Sequence, residues 1–270
     1  PMQAGETIIL DFGEVKNFQS IRYFGGIGDG KYLFELSRDN QSWQEKLNLN
    51  FHGVFDIYVW KDAPLEGEGR FIRITVLQPG GRMYEIGFYG PDSKEIIPVK
   101  NIIQNSTPAF LEGNAQRIAD EPHTIPELPS FLNGMYFDEI YFARTAYEHL
   151  HRMEPYDSVQ PFLGKILLSI GIAIFGMNPF GWRIVGTLFG IAMIPLIYCF
   201  GLQLFKKPSY AFIGAFLLTF DFMHFSHSRI ATIEVYMVFF ILCSYYCMLL
   251  FYQRSFYEYP LKKLLIPLFF

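Results

Sequence analysis

Five ionisable side chains stand where an otherwise apolar sequence tolerates charge least. Arg229 and Glu234 lie five residues apart at the head of a long apolar run. His224 and His227 lie one helical turn apart just before it, and Lys165 opens an earlier run. Charge in or beside a hydrocarbon-seeking segment is costly, so each is a functional candidate. Farther upstream, Asp138-Glu139 open a segment of helical spacing. The set offers a carboxylate to take the proton of an attacking hydroxyl and a guanidinium whose fork fits phosphate oxygens. Transfer of a group from a lipid-borne phosphate needs both, because charge builds on the departing phosphate in the transition state.

Each residue also has a plainer reading. Asp138 would serve as a helix N-cap, Glu139 as part of a solvated helix face, and Arg229 as a snorkelling interface residue. Lys165 divides between a phosphate contact and an interface anchor. Glu234 would pair with Arg229 or another basic group, and His224 and His227 are ordinary interface histidines or supporting groups. Trp182 and Arg183 read as anchors at a helix end. Asp221-x-x-His224-x-x-His227 is not a specific metal-ligand spacing, so no metal and no certain cofactor is assigned.

The elements that must position these groups are helices. Phe137, Ile140, Tyr141 and Tyr147 follow helical spacing across 137–151. Ile166–Met177 is apolar but too short to cross a bilayer, which takes roughly 20 residues, and reads as an interfacial or re-entrant helix. Trp182–Phe205, Tyr210–His227 and Ile230–Tyr252 are long enough to span, and a fourth span begins at Leu261. Lys206-Lys207, and Arg254 with Lys262 and Lys263, mark cytoplasmic loops. The Ser226–Arg229 connection, Asp138 and Lys165 then share the outer side.

The first third of the chain is different. Thr7–Asp11, Ser20–Phe24, Tyr32–Ser37, Val54–Trp60, Phe71–Leu77 and Met83–Tyr89 are rich in β-branched and aromatic residues and are separated by Gly, Pro, Asn and Asp clusters. That pattern predicts an all-β sandwich. The runs Ser37-Arg38-Asp39-Asn40-Gln41-Ser42-Trp43, Gly69-Arg70-Phe71-Ile72-Arg73-Ile74 and Glu85-Ile86-Gly87-Phe88-Tyr89-Gly90 resemble discoidin (coagulation-factor type C) modules. That resemblance implies a jelly roll able to bind sugars or lipid head groups through its loops. Trp43 is then a candidate glycan-stacking residue, with burial in the core as its alternative fate.

Four motifs occur in order in the second half: Phe137-Asp138-Glu139-Ile140-Tyr141-Phe142, Gln160-Pro161-Phe162-Leu163-Gly164-Lys165, Asn178-Pro179-Phe180-Gly181-Trp182-Arg183 and Ser228-Arg229-Ile230-Ala231-Thr232-Ile233-Glu234. Together they resemble the protein O-mannosyltransferases and related phospholipid-carrier-dependent enzymes of the GT-C architecture. The resemblance implies Asp138 as general base, Glu139 as its partner in acceptor or structural contacts, and Arg229 on the lipid phosphate. It also implies a polyprenyl-phosphate sugar donor, typically mannose, and inversion at the anomeric centre. Two departures stand out. Gln160 and Phe162 replace the His and second Pro that usually precede Leu-Gly-Lys, and Glu234 stands where the family has Asp.

Composition agrees with this division. Of the chain's 270 residues, those from 161 onward carry 8 Lys/Arg against 3 Asp/Glu, while the preceding part is acidic. No dense basic patch exists for nucleic acid. Cys199, Cys243 and Cys247 all lie in apolar stretches, so the outer module has no disulfide framework, a hint of a bacterial surface. The expected architecture is α+β and multidomain. A discoidin-like β-sandwich (1–97) and a Pro-rich connector (98–135) lead to an external loop bearing the Asp-Glu helix and the interfacial helix (136–180), then transmembrane helices (181–270). Because the chain opens at Pro1 without a signal peptide and stops inside an apolar run, further spanning helices are expected on both sides. The expected function is transfer of a sugar from a polyprenyl phosphate to a Ser/Thr hydroxyl of a protein, at the outer face of a bacterial plasma membrane. The alternatives are a carrier-dependent transferase acting on lipid or cell-wall glycan, and an inactive, membrane-tethered carbohydrate-binding protein. The expected partners are the bilayer, the lipid-linked sugar and the acceptor.

Overall fold

The structure, a computed structural model, describes residues 4–53, 56–91, 95–104 and 115–255. It divides into two compact units, Pro1–Met135 and Tyr136–Phe270. An antiparallel β-sheet domain is followed by a helical region, the α+β order expected.

The first unit is organised by two long strands, β1 (Thr7–Gly25) and β4 (Trp60–Gln78), paired along most of their length. β1 merges two segments that looked separate in sequence, and β4 extends the expected Phe71–Leu77 strand back to Trp60. Irregularities between Asp11 and Lys16, and between Phe18 and Ser20, bend the pair without ending it. The sheet continues through β2 (Gly30–Ser37) to β3 (Gln44–Phe51) on one side. On the other, β1 pairs with β5 (Met83–Tyr89) and β6 (Asn101–Gln104). Alternate residues from β1, β2, β4 and β5 form one core, in which Phe12, Phe18 and Phe88 meet edge to face.

The expected strand Val54–Trp60 does not form. Val54 and Phe55 lie outside the described residues, Asp56–Val59 make a turn with Tyr58 at φ +50°, and Trp60 begins β4. The stretch after β5 folds back onto the sheet. Arg22 forks onto Asp62 and donates to the carbonyls of Pro126 and Glu127, while Met135 N–H donates to Tyr58 O.

The second unit holds α1 (Glu139–Leu150), α2 (Phe162–Phe175), α3 (Pro179–Phe205), α4 (Pro208–Thr219), α5 (Phe222–Ser228) and α6 (Glu234–Ser255). Two of these, α3 and α6, are long and apolar enough to cross a membrane, with mean hydropathy 2.0 each. At 1.5 Å per residue α3 is about 40 Å long and α6 about 33 Å. The expected span Tyr210–His227 is instead two helices. Asp221 ends the continuity by accepting from His224 N–H at 2.7 Å, so a new N-terminus starts there. The α2–α3 hairpin closes on glycine: a Cβ at Gly171 would strike the Gly181 carbonyl, and Gly176 ends α2 at φ +84°.

Helices α3 and α6 run parallel. Their C-terminal ends meet where Lys206 bridges Gln203 and Gln253, and Gln253 donates to the Gln203 carbonyl. Their N-terminal ends meet around Glu139. All the acidic and basic candidates of α1 and of the α5–α6 connection gather at that second end.

Candidate active site

Asp138 occupies the N-cap position of α1, but its side chain makes no capping bond. Among the described residues its carboxylate has no hydrogen-bond or ion-pair partner, and the residue is half-buried. Burial raises its pKa above the ordinary aspartate value, and the charge of Glu234 raises it further. The preceding residue, Phe137, is exposed and sits at φ +53°, a left-handed conformation that costs a bulky residue energy. The turn that presents Asp138 is therefore held by its surroundings.

Those surroundings are organised by Glu139, which is fully buried. Arg183 Nε donates to Glu139 Oε1 at 2.7 Å and Arg183 Nη2 to Oε2 at 2.5 Å. Ala231 N–H donates to Oε1 at 2.8 Å and Tyr136 N–H to Oε2, also at 2.8 Å. Glu139 is thus neither on a solvated face nor open to an acceptor: four protein donors surround it. One carboxylate ties α1 to the first turn of α3 and to the strand entering α6. The Asp-Glu pair divides into a carboxylate that is held and a carboxylate that is free.

Arg183, read from sequence as an interface anchor, is the residue that sequence reasoning placed wrongly. Its guanidinium is mostly buried against Glu139, and its neighbour Trp182 is fully buried. The signal was present, because an arginine entering an apolar helix needs a counter-ion.

Arg229, the C-cap of α5, is exposed, with its guanidinium 4.9 Å from the centre of the Phe225 ring. No carboxylate pairs with it among the described residues, so the expected Arg229–Glu234 pair does not form. Glu234 begins α6, and its Oε2 is buried without a hydrogen-bond partner, as are Thr232 Oγ1 and Tyr236 Oη. Ala231, two residues beyond Arg229, is the residue bonded to Glu139. The α5–α6 connection is therefore fixed beside the Asp138 turn. Ser228 supports it from below: its carbonyl accepts from Thr187 Oγ1 at 2.9 Å, and its side chain packs against Gly190.

Lys165 is fully buried, and its ammonium is engaged by Asp157 Oδ2 at 2.7 Å and by the Asp157 and Gln160 carbonyls. Desolvation raises the Asp157 carboxyl, but Lys165 and the backbone amides of Val159 and Gln160 outweigh it and hold the group below the ordinary range. His224 and His227 are half-buried on α5. Among the described residues no group of three or more His, Cys, Asp or Glu is arranged for a metal ion. In the first unit, Trp43 is half-buried and lies against Arg73, whose guanidinium is 4.3 Å from the ring centre and forks onto Glu35 at 2.6 Å.

Comparison with known proteins bears on this end of the helical unit. The family model described as dolichyl-phosphate-mannose-protein mannosyltransferase matches residues 128–266, just over half of the chain. The chain belongs to that family. Among curated members of this mannosyltransferase family, the polyprenol-phosphate-mannose–protein mannosyltransferase of Mycobacterium tuberculosis is 31% identical over 115 residues, 40% of this chain and 22% of the relative. Its counterpart in Mycolicibacterium smegmatis is 29% identical over 119 residues, 42% of this chain and 23% of the relative. The match thus spans about a fifth of these relatives' length. Solved structures with some likeness include one titled CpGH89CBM32-6 produced by Clostridium perfringens, 23% identical with a TM-score of 0.30, covering 34% of this chain and 74% of that one. Another is the CBM32 of AlyQ in complex with 4,5-unsaturated mannuronic acid, 16% identical with a TM-score of 0.29, covering 33% and 74%.

Proposed function

We propose that this chain carries the base and the phosphate-binding arginine of a membrane enzyme that transfers mannose from a polyprenyl phosphate to a Ser/Thr hydroxyl of a protein. The observation that carries the reading is the free, half-buried carboxylate of Asp138, held beside the Arg229 connection by the Glu139–Ala231 bond. Asp138 removes the hydroxyl proton as the acceptor oxygen attacks C1 of the sugar from the face opposite the phosphate. The C1–O bond to phosphate breaks, its electron pair leaves with the phosphate oxygen, and the anomeric centre inverts. Arg229 meets the charge that develops there.

A base raised by burial suits the task, since proton transfer is most effective from a group titrating nearer the working pH. Glu139 keeps the turn in place and takes no proton. Lys165, enclosed by Asp157 and two carbonyls, shapes the α1–α2 connection, and His224 and His227 line the approach from α5. The reaction end of the helices faces the outside of a bacterial plasma membrane, with Lys206-Lys207 on the cytoplasmic side. The β domain orients the acceptor or binds its glycans, and Trp43 offers any sugar only the ring face turned away from Arg73.

The test is an assay of the full-length protein in membranes with radiolabelled polyprenyl-phosphate mannose and a Ser/Thr-rich peptide. Label in the peptide that disappears with Asp138→Asn supports this function. Label found only in lipid or glycan redirects the acceptor assignment. Glycan binding without turnover of any donor ends the enzymatic reading.

A further inference from the structure

The proposed base does not stand alone at its end of the helices. The bond from Ala231 N–H to Glu139 Oε1, 2.8 Å long, brings the α5–α6 connection against the Asp138-Glu139 turn. Three residues beyond Ala231, Glu234 opens α6 with one carboxylate oxygen buried and unpartnered. Among the described residues, the other charged groups gathered at this end are paired or exposed, and the titratable His224 and His227 stand half-buried on α5. From α1, Glu139 is neutralised by Arg183 of α3. From α2, Lys165 is spent on Asp157. From α5, Arg229 lies over Phe225 and is exposed. Among the described residues, Glu234 has no counter-ion, although burying a carboxylate oxygen without donors is costly.

We propose that Glu234 is a positioning residue that acts through Asp138: an uncompensated carboxylate, kept at the same end of the helices, whose charge readies the base to take the acceptor's proton. The inference rests on the reading of Asp138 as the general base. Two carboxylates close together resist ionising together, so the first to lose its proton makes the second more basic. A base made stronger in this way removes more of the hydroxyl proton in the transition state. Desolvation of Asp138 acts in the same direction, and the Glu234 charge is the second cause of its raised pKa. This also gives a physical role to a residue that the sequence suggests only as a partner for Arg229.

The experiment measures kcat/KM for the lipid-linked sugar from pH 5 to 9 in full-length enzyme, for the parent protein, Glu234→Gln, Glu234→Asp and Asp138→Asn. With Glu234→Gln, the acid limb of the profile is expected to move down by about one pH unit and the plateau to fall about three- to tenfold. Glu234→Asp restores most of both. An acid limb that stays in place overturns the proposal. If KM for the donor then rises, Glu234 binds donor; if kcat falls equally at every pH, Glu234 is structural. Should Glu234→Gln fail to fold, Glu234→Ala decides by the same readout: an acid limb that moves down supports the proposal, and one that stays in place overturns it. Activity retained in Asp138→Asn refutes the base assignment itself, a result separable from any behaviour of Glu234.

Discussion

Removing the partner of a buried charge is the sharpest test of how this site is held, and Glu139 with Arg183 allows it to be done from both sides. Glu139→Met removes the counter-ion from a guanidinium whose side chain is 15% exposed, together with the Glu139 acceptor of the Tyr136 and Ala231 amides. Breaking a buried pair by deleting one member costs about 3–5 kcal/mol. Arg183→Met strands the fully buried carboxylate and falls in the same range of about 3–5 kcal/mol. In the double variant the buried pair is gone, and the two amides lose their Glu139 acceptor at about 1–3 kcal/mol each. The double variant should therefore cost about as much as either single one, and several kcal/mol less than their sum. Unfolding free energies from denaturant titration in detergent micelles measure all three. Activity should still fall about 100-fold in the double variant, because the Asp138 turn loses its tie to Ala231 and small misplacements of a reacting group are costly. Additive single costs, or singles below about 1 kcal/mol, would show that the four-donor arrangement is not holding the turn.

Three further outcomes are expected. Glu85, buried in β5, has its carboxyl pushed up to about 8, first by desolvation and then by the charges of Asp120 and Glu121, against an opposing backbone bond from Glu121. Between about pH 4.5 and 8 the unfolded chain loses this proton while the folded chain keeps it. The stability of the β domain should therefore fall with rising pH across that window, by at most about 5 kcal/mol, and Glu85→Gln should flatten the slope in a pH series of melting curves. Lys165→Met should destabilise the helical unit by about 2 kcal/mol, since the Asp157 side chain is 14% exposed and partly screened. The KM for the lipid donor tells whether Lys165 also meets phosphate: an unchanged value limits it to holding the α1–α2 connection. Gly190→Ala places a Cβ against Ser228 Oγ, so the α5–α6 connection must shift. Transfer activity should drop at least tenfold, with a smaller change in the unfolding midpoint.

How far the sequence carried this picture depended on whether the signal was local. Helix α1 followed from the spacing of Phe137, Ile140, Tyr141 and Tyr147, and α3 and α6 from uninterrupted apolar length. Strand β1 reads as two segments and β4 as its second half alone, because Gly13-Glu14-Val15-Lys16-Asn17 and Pro64 through Glu68 carry little apolar alternation. In the fold such residues sit at bulges or along the irregular parts of a pair that continues past them. Strand β3 was missed although Leu47, Leu49 and Phe51 alternate, because Glu45, Lys46, Asn48 and Asn50 depress β propensity on an edge whose outer face is solvated. The break at Asp221 was legible in principle, as an N-capping residue inside an apolar run. At the site, residue types named Asp138 and Arg229 but could not say which of two adjacent carboxylates was free. That is decided by Arg183 and Ala231, 44 and 92 residues from Glu139, and no local pattern encodes such partners.

The Glu139–Ala231 bond also sets an order of assembly. Synthesised from its N-terminus, the chain presents the α1 carboxylate first, receives the Arg183 guanidinium only once α3 has emerged, and receives the Ala231 amide only when α6 begins. Until then the charge is partly solvated and α1 stays loosely placed. The Asp138 turn is thus completed only as the last of the described helices begins, so an intermediate caught earlier during membrane insertion would carry the proposed base without the bond that places it.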